Sequence, residues 1–112
     1  MSHGYTAAEL QAALASATPA LVLDVRRTQT FQQADDLIAG AVWRDPERID
    51  EWSGGLDPAR PVIVYCVHGH QVSQGCARKL RNLGLEAAFL EGGIEAWIST
   101  GGKTTAKTGA ST

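Results

Sequence analysis

The stretch PVIVYC at residues 61–66, followed by VHGHQ at residues 67–71, decides the fold class of this chain. The first part is an apolar, β-branched run after a proline, which predicts a buried strand, and the glycine-containing second part predicts a loop. A helical pattern begins directly after it. Backbone N–H groups of such a loop and the positive end of a helix dipole favour a negative sulfur at the end of the strand. We therefore predict that Cys66 is a reactive thiol rather than a structural one.

Helical spacing is clearest after this loop. The apolar residues Val72, Cys76, Leu80 and Leu83 recur at intervals of three and four residues, which predicts an amphipathic helix. Cys76 shares this apolar face, so a small buried side chain is the favoured interpretation. A thiol that resolves an oxidised Cys66 is the alternative.

Short apolar segments alternate with helical patterns along the rest of the chain. We predict further strands at residues 20–25, 41–43 and 86–90, and helices after a capping box at residues 6–9, around 28–36, from 46 toward 52, and from 93 to 98. This order is typical of right-handed βαβ units. We expect an α/β fold with a single domain, a mostly parallel sheet of about five strands, and helices on both faces.

Length and composition indicate how much of the chain folds. The 112 residues, 44% of them hydrophobic, suit one domain, which we place at residues 1–100. Residues 101–112 contain no apolar side chain larger than alanine. They bury too little surface to offset the entropy of ordering them, so we expect a flexible C-terminal tail.

Charge and cysteine content narrow the partners and the compartment. Ten Lys and Arg stand against twelve Asp and Glu, so no broad attraction to nucleic acid or to an anionic membrane is expected, and any bound anion must be held locally. No segment approaches the roughly 20 apolar residues of a membrane span, and no export signal is recognisable. We expect a cytoplasmic protein whose cysteines are free thiols.

Five pieces of the sequence, in order and at the right separations, resemble the rhodanese-like sulfurtransferase domain family. They are LDVR at residues 23–26, Phe31, Gly-Ala at residues 40–41, the strand into Cys66 with Gly69 three residues on, and LEGGIEAW at residues 90–97. The resemblance extends to about residue 99. It implies a rhodanese-like fold of the single-domain type and thiosulfate sulfurtransferase activity.

The resemblance also implies roles for individual residues. Cys66 would be the catalytic nucleophile, which takes a sulfur from a donor such as thiosulfate, becomes a persulfide, and passes the sulfur to cyanide or a thiol, a protein thiol included. The substrate-binding cradle would be the backbone of Val67, His68, Gly69, His70, Gln71 and Val72. Ser73 would support this loop. From their own chemistry we expect Asp24 and Arg26 to support it as well, Asp24 by accepting its N–H groups and Arg26 by pairing with a carboxylate or capping a helix. No cofactor and no metal ion are implied.

A metal site is also disfavoured by geometry. Cys66, His68, His70 and Cys76 are the candidate ligands. If the helix begins near Gln71, Cys76 lies about 7 Å along its axis at 1.5 Å per residue, which is a poor position from which to close a tetrahedron with the loop.

Three departures from the family pattern leave two other functions open. Ser73 follows Cys66 by seven residues instead of six, which gives a longer loop similar to that of Cdc25-like phosphatases and arsenate reductases. The loop of those proteins ends in an arginine that clamps the oxyanion, but here no Arg or Lys lies between Cys66 and Arg78. His68 and His70 stand where many thiosulfate-using members carry Arg or Lys, which suggests a non-catalytic sensor or partner module. Residues 30–38 are two residues longer than the family's usual stretch and lack its histidine.

Overall fold

A five-stranded parallel sheet forms the centre of the computed structural model, which describes residues 4–17 and 19–107. The longest pairing joins two adjacent strands, β2 (Leu21–Asp24) and β5 (Val62–Tyr65), with Asp24 opposite Tyr65 at their carboxyl ends. The predicted α/β fold and strand number are confirmed. In spatial order the strands are β1 (Gly4–Tyr5), β6 (Ala87–Leu90), β5 (Val62–Tyr65), β2 (Leu21–Asp24) and β4 (Val42–Trp43).

Helices cover both faces of this sheet. They are α1 (Ala7–Leu14), α2 (Thr28–Gln33), α3 (Ile49–Trp52), α4 (Gln71–Asn82) and α5 (Gly93–Ser99), with short 3-10 turns at Pro46–Arg48 and Ser53–Gly55. Ile63 and Tyr65 pack in one hydrophobic cluster with α1 and α5, whereas Val62 and Val64 pack in another with α3 and α4. Successive side chains of a strand point to opposite faces, so β5 contributes to both cores. No described helix is both long and apolar enough to cross a bilayer.

The helix ends follow local sequence signals. Thr6 Oγ1 accepts a hydrogen bond from the Glu9 N–H, and Glu9 Oε1 accepts one from the Thr6 N–H, which is the predicted capping box. Helix α4 ends at Asn82 and is followed by Gly84 at φ 92°, a conformation that glycine adopts without a steric penalty. Leu83, which we placed on the apolar face of this helix, is exposed beyond its end.

The segment after residue 100 differs from the flexible tail predicted for residues 101–112. Strand β7 (Thr104–Ala106) pairs antiparallel with β3 (Asp36–Ile38) in a second, two-stranded sheet, and Lys103 O accepts a hydrogen bond from Trp97 Nε1. Backbone pairing and one tryptophan hold this segment, so the absence of large apolar side chains does not prevent its order. Residues 108–112 lie outside the described residues.

Candidate active site

Cys66 directly follows β5 at the carboxyl edge of the sheet, and its side chain is buried, with 7% exposed. Burial by itself raises the pKa of this thiol. The Ser73 hydroxyl, 3.2 Å from Sγ, and the backbone N–H groups of Ser73, His70 and Gly69 outweigh burial and lower the pKa below its usual value. The thiolate is therefore favoured in a site that is largely shielded from water.

Gly69 lets the loop approach the next strand and helix closely. Its φ is 75°, and a Cβ atom there would lie 2.7 Å from both Leu90 O and Gly92 N. A residue with a side chain would have neither the conformation nor the space. This contact explains the glycine better than an ordinary turn does.

The start of α5 binds the carbonyl groups of the same loop. The Ile94 N–H donates to Cys66 O over 3.0 Å, and the Glu95 N–H donates to Val67 O over 3.3 Å. Gln74 adds a third contact through Nε2 to Gly69 O, at 2.8 Å. Because the loop carbonyls are satisfied in this way, its N–H groups remain directed toward the sulfur.

Ser73 has a more direct position than the loop support that we predicted. It is fully buried in the first turn of α4, and its hydroxyl contacts the sulfur itself. The thiol donates to this oxygen, and the hydroxyl donates to the sulfur once the proton has left. Its distance from Cys66 in the sequence, seven residues, gave no indication of this contact.

Asp24 does not accept N–H groups of the active loop in the way that we predicted, whereas Arg26 pairs with a carboxylate, as we expected. The buried Asp24 carboxylate accepts hydrogen bonds from Arg26 Nη2 at 2.6 Å and from the Tyr65 hydroxyl at 3.0 Å, and not from loop N–H groups. Burial lowers the pKa of Arg26, but the hydrogen bond and charge of Asp24 outweigh it, so the guanidinium stays charged. The pair joins the ends of β2 and β5 through Tyr65, the residue before Cys66.

A cavity of about 210 Å³ opens beside the thiol. Five of the six predicted cradle residues line it, all except Gly69, together with two residues that our sequence reasoning missed, Arg27 and Thr30. Arg27 directly follows the LDVR stretch at the end of β2, and this position after a central strand could have predicted that it lies at the site. The complete lining is Arg26, Arg27, Thr30, Cys66, Val67, His68, His70, Gln71 and Val72.

Cys76 lies on the buried face of α4, in the hydrophobic core, as its position on the apolar face of the predicted helix indicated. It is a free thiol, like Cys66. Burial and the nearby charge of Cys66 raise its pKa to about 11, although Lys79 acts in the opposite direction. It is therefore protonated at neutral pH and unsuited to nucleophilic attack.

The described ranges, residues 4–17 and 19–107, contain no group of three His, Cys, Asp or Glu side chains that could hold a metal ion. His68 Nδ1 instead lies 3.2 Å from Glu95 Oε1, with both side chains exposed. The rings of His68 and His70 have centroids 6.2 Å apart.

Comparison with known proteins extends these observations. The model of the Rhodanese-like domain family matches residues 6–100. The thiosulfate sulfurtransferase GlpE of Stutzerimonas stutzeri is 34% identical over 82 residues, which cover 72% of each chain, and that of Coxiella burnetii is 33% identical over 78 residues, 69% of this chain and 70% of its own. A rhodanese-related protein from Thermoplasma volcanium has a similar structure, with a TM-score of 0.78 and 27% identity over 91% of this chain and 96% of its own.

Proposed function

We propose that this chain, which belongs to the Rhodanese-like domain family, is a sulfurtransferase that carries sulfane sulfur on Cys66. One observation supports this more than any other: the buried sulfur is surrounded by three backbone N–H groups and one hydroxyl. Such donors stabilise a thiolate, and they also suit the terminal sulfur of a persulfide anion. The names of the relatives, thiosulfate sulfurtransferase, suggest thiosulfate as a donor.

In the first half of the reaction, the Cys66 thiolate attacks the outer sulfur of thiosulfate. A bond forms between the two sulfurs while the donor's own sulfur–sulfur bond breaks. Sulfite leaves with that electron pair, and the enzyme becomes a persulfide anion. The N–H groups of the loop hold the negative charge without moving, which lowers the cost of reorganisation in the transition state.

In the second half, an acceptor removes the outer sulfur. Cyanide attacks that sulfur, thiocyanate leaves, and the electron pair of the broken bond returns to Cys66 as a thiolate. A small thiol or a protein thiol reacts in the same way after losing its proton and becomes a persulfide. No external oxidant, reductant or cofactor is consumed.

Mass spectrometry of the intact protein after incubation with thiosulfate tests this proposal. We expect the mass of one sulfur atom on the wild type and on the control variant Cys76→Ala, and none on Cys66→Ala. Added cyanide should remove the sulfur and release thiocyanate. If the wild type gains no sulfur from thiosulfate or from other sulfane donors, the proposal fails and a non-catalytic module is favoured. Cys66-dependent hydrolysis of an aryl phosphate would favour the phosphatase alternative.

A further inference from the structure

The cavity beside Cys66 has cationic lining residues but no Asp or Glu among its described lining. The charge of Arg26 is offset by Asp24, 2.6 Å away in the protein interior. The imidazole of His68 lies 3.2 Å from Glu95, so any positive charge on it is offset as well. Neither residue is therefore a free positive charge for a ligand.

Arg27 differs from both of these residues. Within residues 4–17 and 19–107, no carboxylate forms an ion pair with its guanidinium, and its side chain is exposed, whereas Arg26 is buried. Its backbone is fixed, because Arg27 O accepts a hydrogen bond from the Phe31 N–H as α2 begins. Arg27 thus combines a fixed backbone position with an exposed guanidinium that no carboxylate of the described residues neutralises in an ion pair.

The sheet places Arg27 at the cavity that contains the reactive sulfur. Strands β2 and β5 are adjacent and parallel, with Asp24 opposite Tyr65, so the residues that follow each strand emerge at the same edge. Arg27 and Cys66 consequently line one cavity. The planar guanidinium presents several N–H donors in a fixed fork, a geometry suited to tetrahedral or planar oxyanions.

We propose that Arg27 binds the oxyanion end of the sulfur donor, so that the donor is an anionic thiosulfate-type compound whose outer sulfur faces Cys66. This inference rests on the proposed sulfurtransferase function. It places the cation that binds the donor at Arg27, outside the active loop. In thiosulfate the three oxygens carry negative charge, which increases as sulfite leaves. Arg27 therefore contributes to donor binding and to stabilisation of the leaving group.

Two alkylating reagents of nearly the same shape test the anion site without any turnover. Iodoacetate is an anion and iodoacetamide is neutral, and peptide mapping gives the rate of each at Cys66. In Arg27→Gln we expect the ratio of the iodoacetate rate to the iodoacetamide rate to fall about fivefold, the size of one unit-charge contact near water. Arg27→Lys should keep most of the ratio. Arg60→Gln, an equal charge change at the amino end of β5, should keep all of it.

Separate measurements of sulfur uptake from thiosulfate and of sulfur removal from the persulfide test whether the anion site contributes to catalysis. Arg27→Gln should raise the KM for thiosulfate, whereas a neutral phosphine, which leaves as the phosphine sulfide, should remove sulfur from its preformed persulfide at the wild-type rate. An unchanged alkylation ratio in Arg27→Gln, or an equal fall in Arg60→Gln, would overturn the assignment of Arg27. A fall in the ratio without persulfide formation in the wild type would leave the anion site standing and refute the sulfurtransferase function instead.

Discussion

Replacing Ser73 with alanine removes the hydrogen bond between its hydroxyl and the reactive sulfur. The Ser73 hydroxyl lies 3.2 Å from Cys66 Sγ, and both side chains are buried. The backbone N–H groups of Gly69, His70 and Ser73 itself are unaffected by the substitution. Ser73→Ala therefore isolates the contribution of a single donor to the thiolate.

The expected effect follows from the charge of the acceptor. A hydrogen bond to a charged group contributes about 1.5 to 3 kcal/mol, and sulfur, a weak acceptor at long distance, places this bond at the lower end. About 1.4 kcal/mol corresponds to a factor of ten in an equilibrium. The thiolate population below the pKa should fall about tenfold. Ser73→Ala should raise the pKa of Cys66, so the pH at which the alkylation rate rises should be higher than in the wild type.

Alkylation of Cys66 by iodoacetamide, measured as rate against pH, is the appropriate assay. At any pH below the pKa of the wild-type thiol, Ser73→Ala should react about tenfold more slowly than the wild type. The two rates should converge at high pH, where Cys66 is fully ionised in both proteins. Ser53→Ala makes the same change at another buried serine outside the cavity and should match the wild type. If Ser73→Ala follows the wild-type rate at every pH, the hydroxyl does not stabilise the thiolate, and the reasoning is refuted.

Three further predictions concern the supporting structure. Gly93→Ala should abolish persulfide formation and lower the melting temperature, since a Cβ at φ 63° would overlap the carbonyls of the active loop. Gly75→Ala, in an open position of a helix, should be neutral or stabilising by up to about 1 kcal/mol, and equal effects of the two substitutions would contradict this. Asp24→Asn should lower the free energy of unfolding, measured by urea denaturation, by about 3 kcal/mol or more, because it leaves Arg26 charged and buried without its partner carboxylate. A loss well below about 1 kcal/mol would show that the ion pair is unimportant for stability. Peptide mapping after alkylation at pH 9 should find label at the active cysteine and little at Cys76, whose pKa is about 11; equal labelling would show that Cys76 is accessible and ionised.

Local sequence patterns were sufficient to predict the main helices and strands of this protein. The capping box at residues 6–9 and the helical spacing after residue 72 depend on neighbours within four positions, so they could be recognised without tertiary contacts. Strand β1 was missed because it has only two residues, Gly4 and Tyr5, and no period to detect. Strands β3 and β7 were missed because each is a strand only by pairing with the other, more than 60 residues away in the chain.

For the candidate site, local sequence patterns were enough to predict that a cysteine ends a buried strand before a loop and a helix. That order follows from hydrophobic period and turn residues, and it was enough to predict the thiolate. The tertiary structure decided which groups meet the sulfur. Ser73 contacts it because the loop curls back on itself, Asp24 binds Arg26 and Tyr65 instead of the loop, and Arg27 reaches the cavity because β2 and β5 are adjacent. Residues distant in sequence become neighbours only when parallel strands align their carboxyl ends, and no local pattern encodes that alignment.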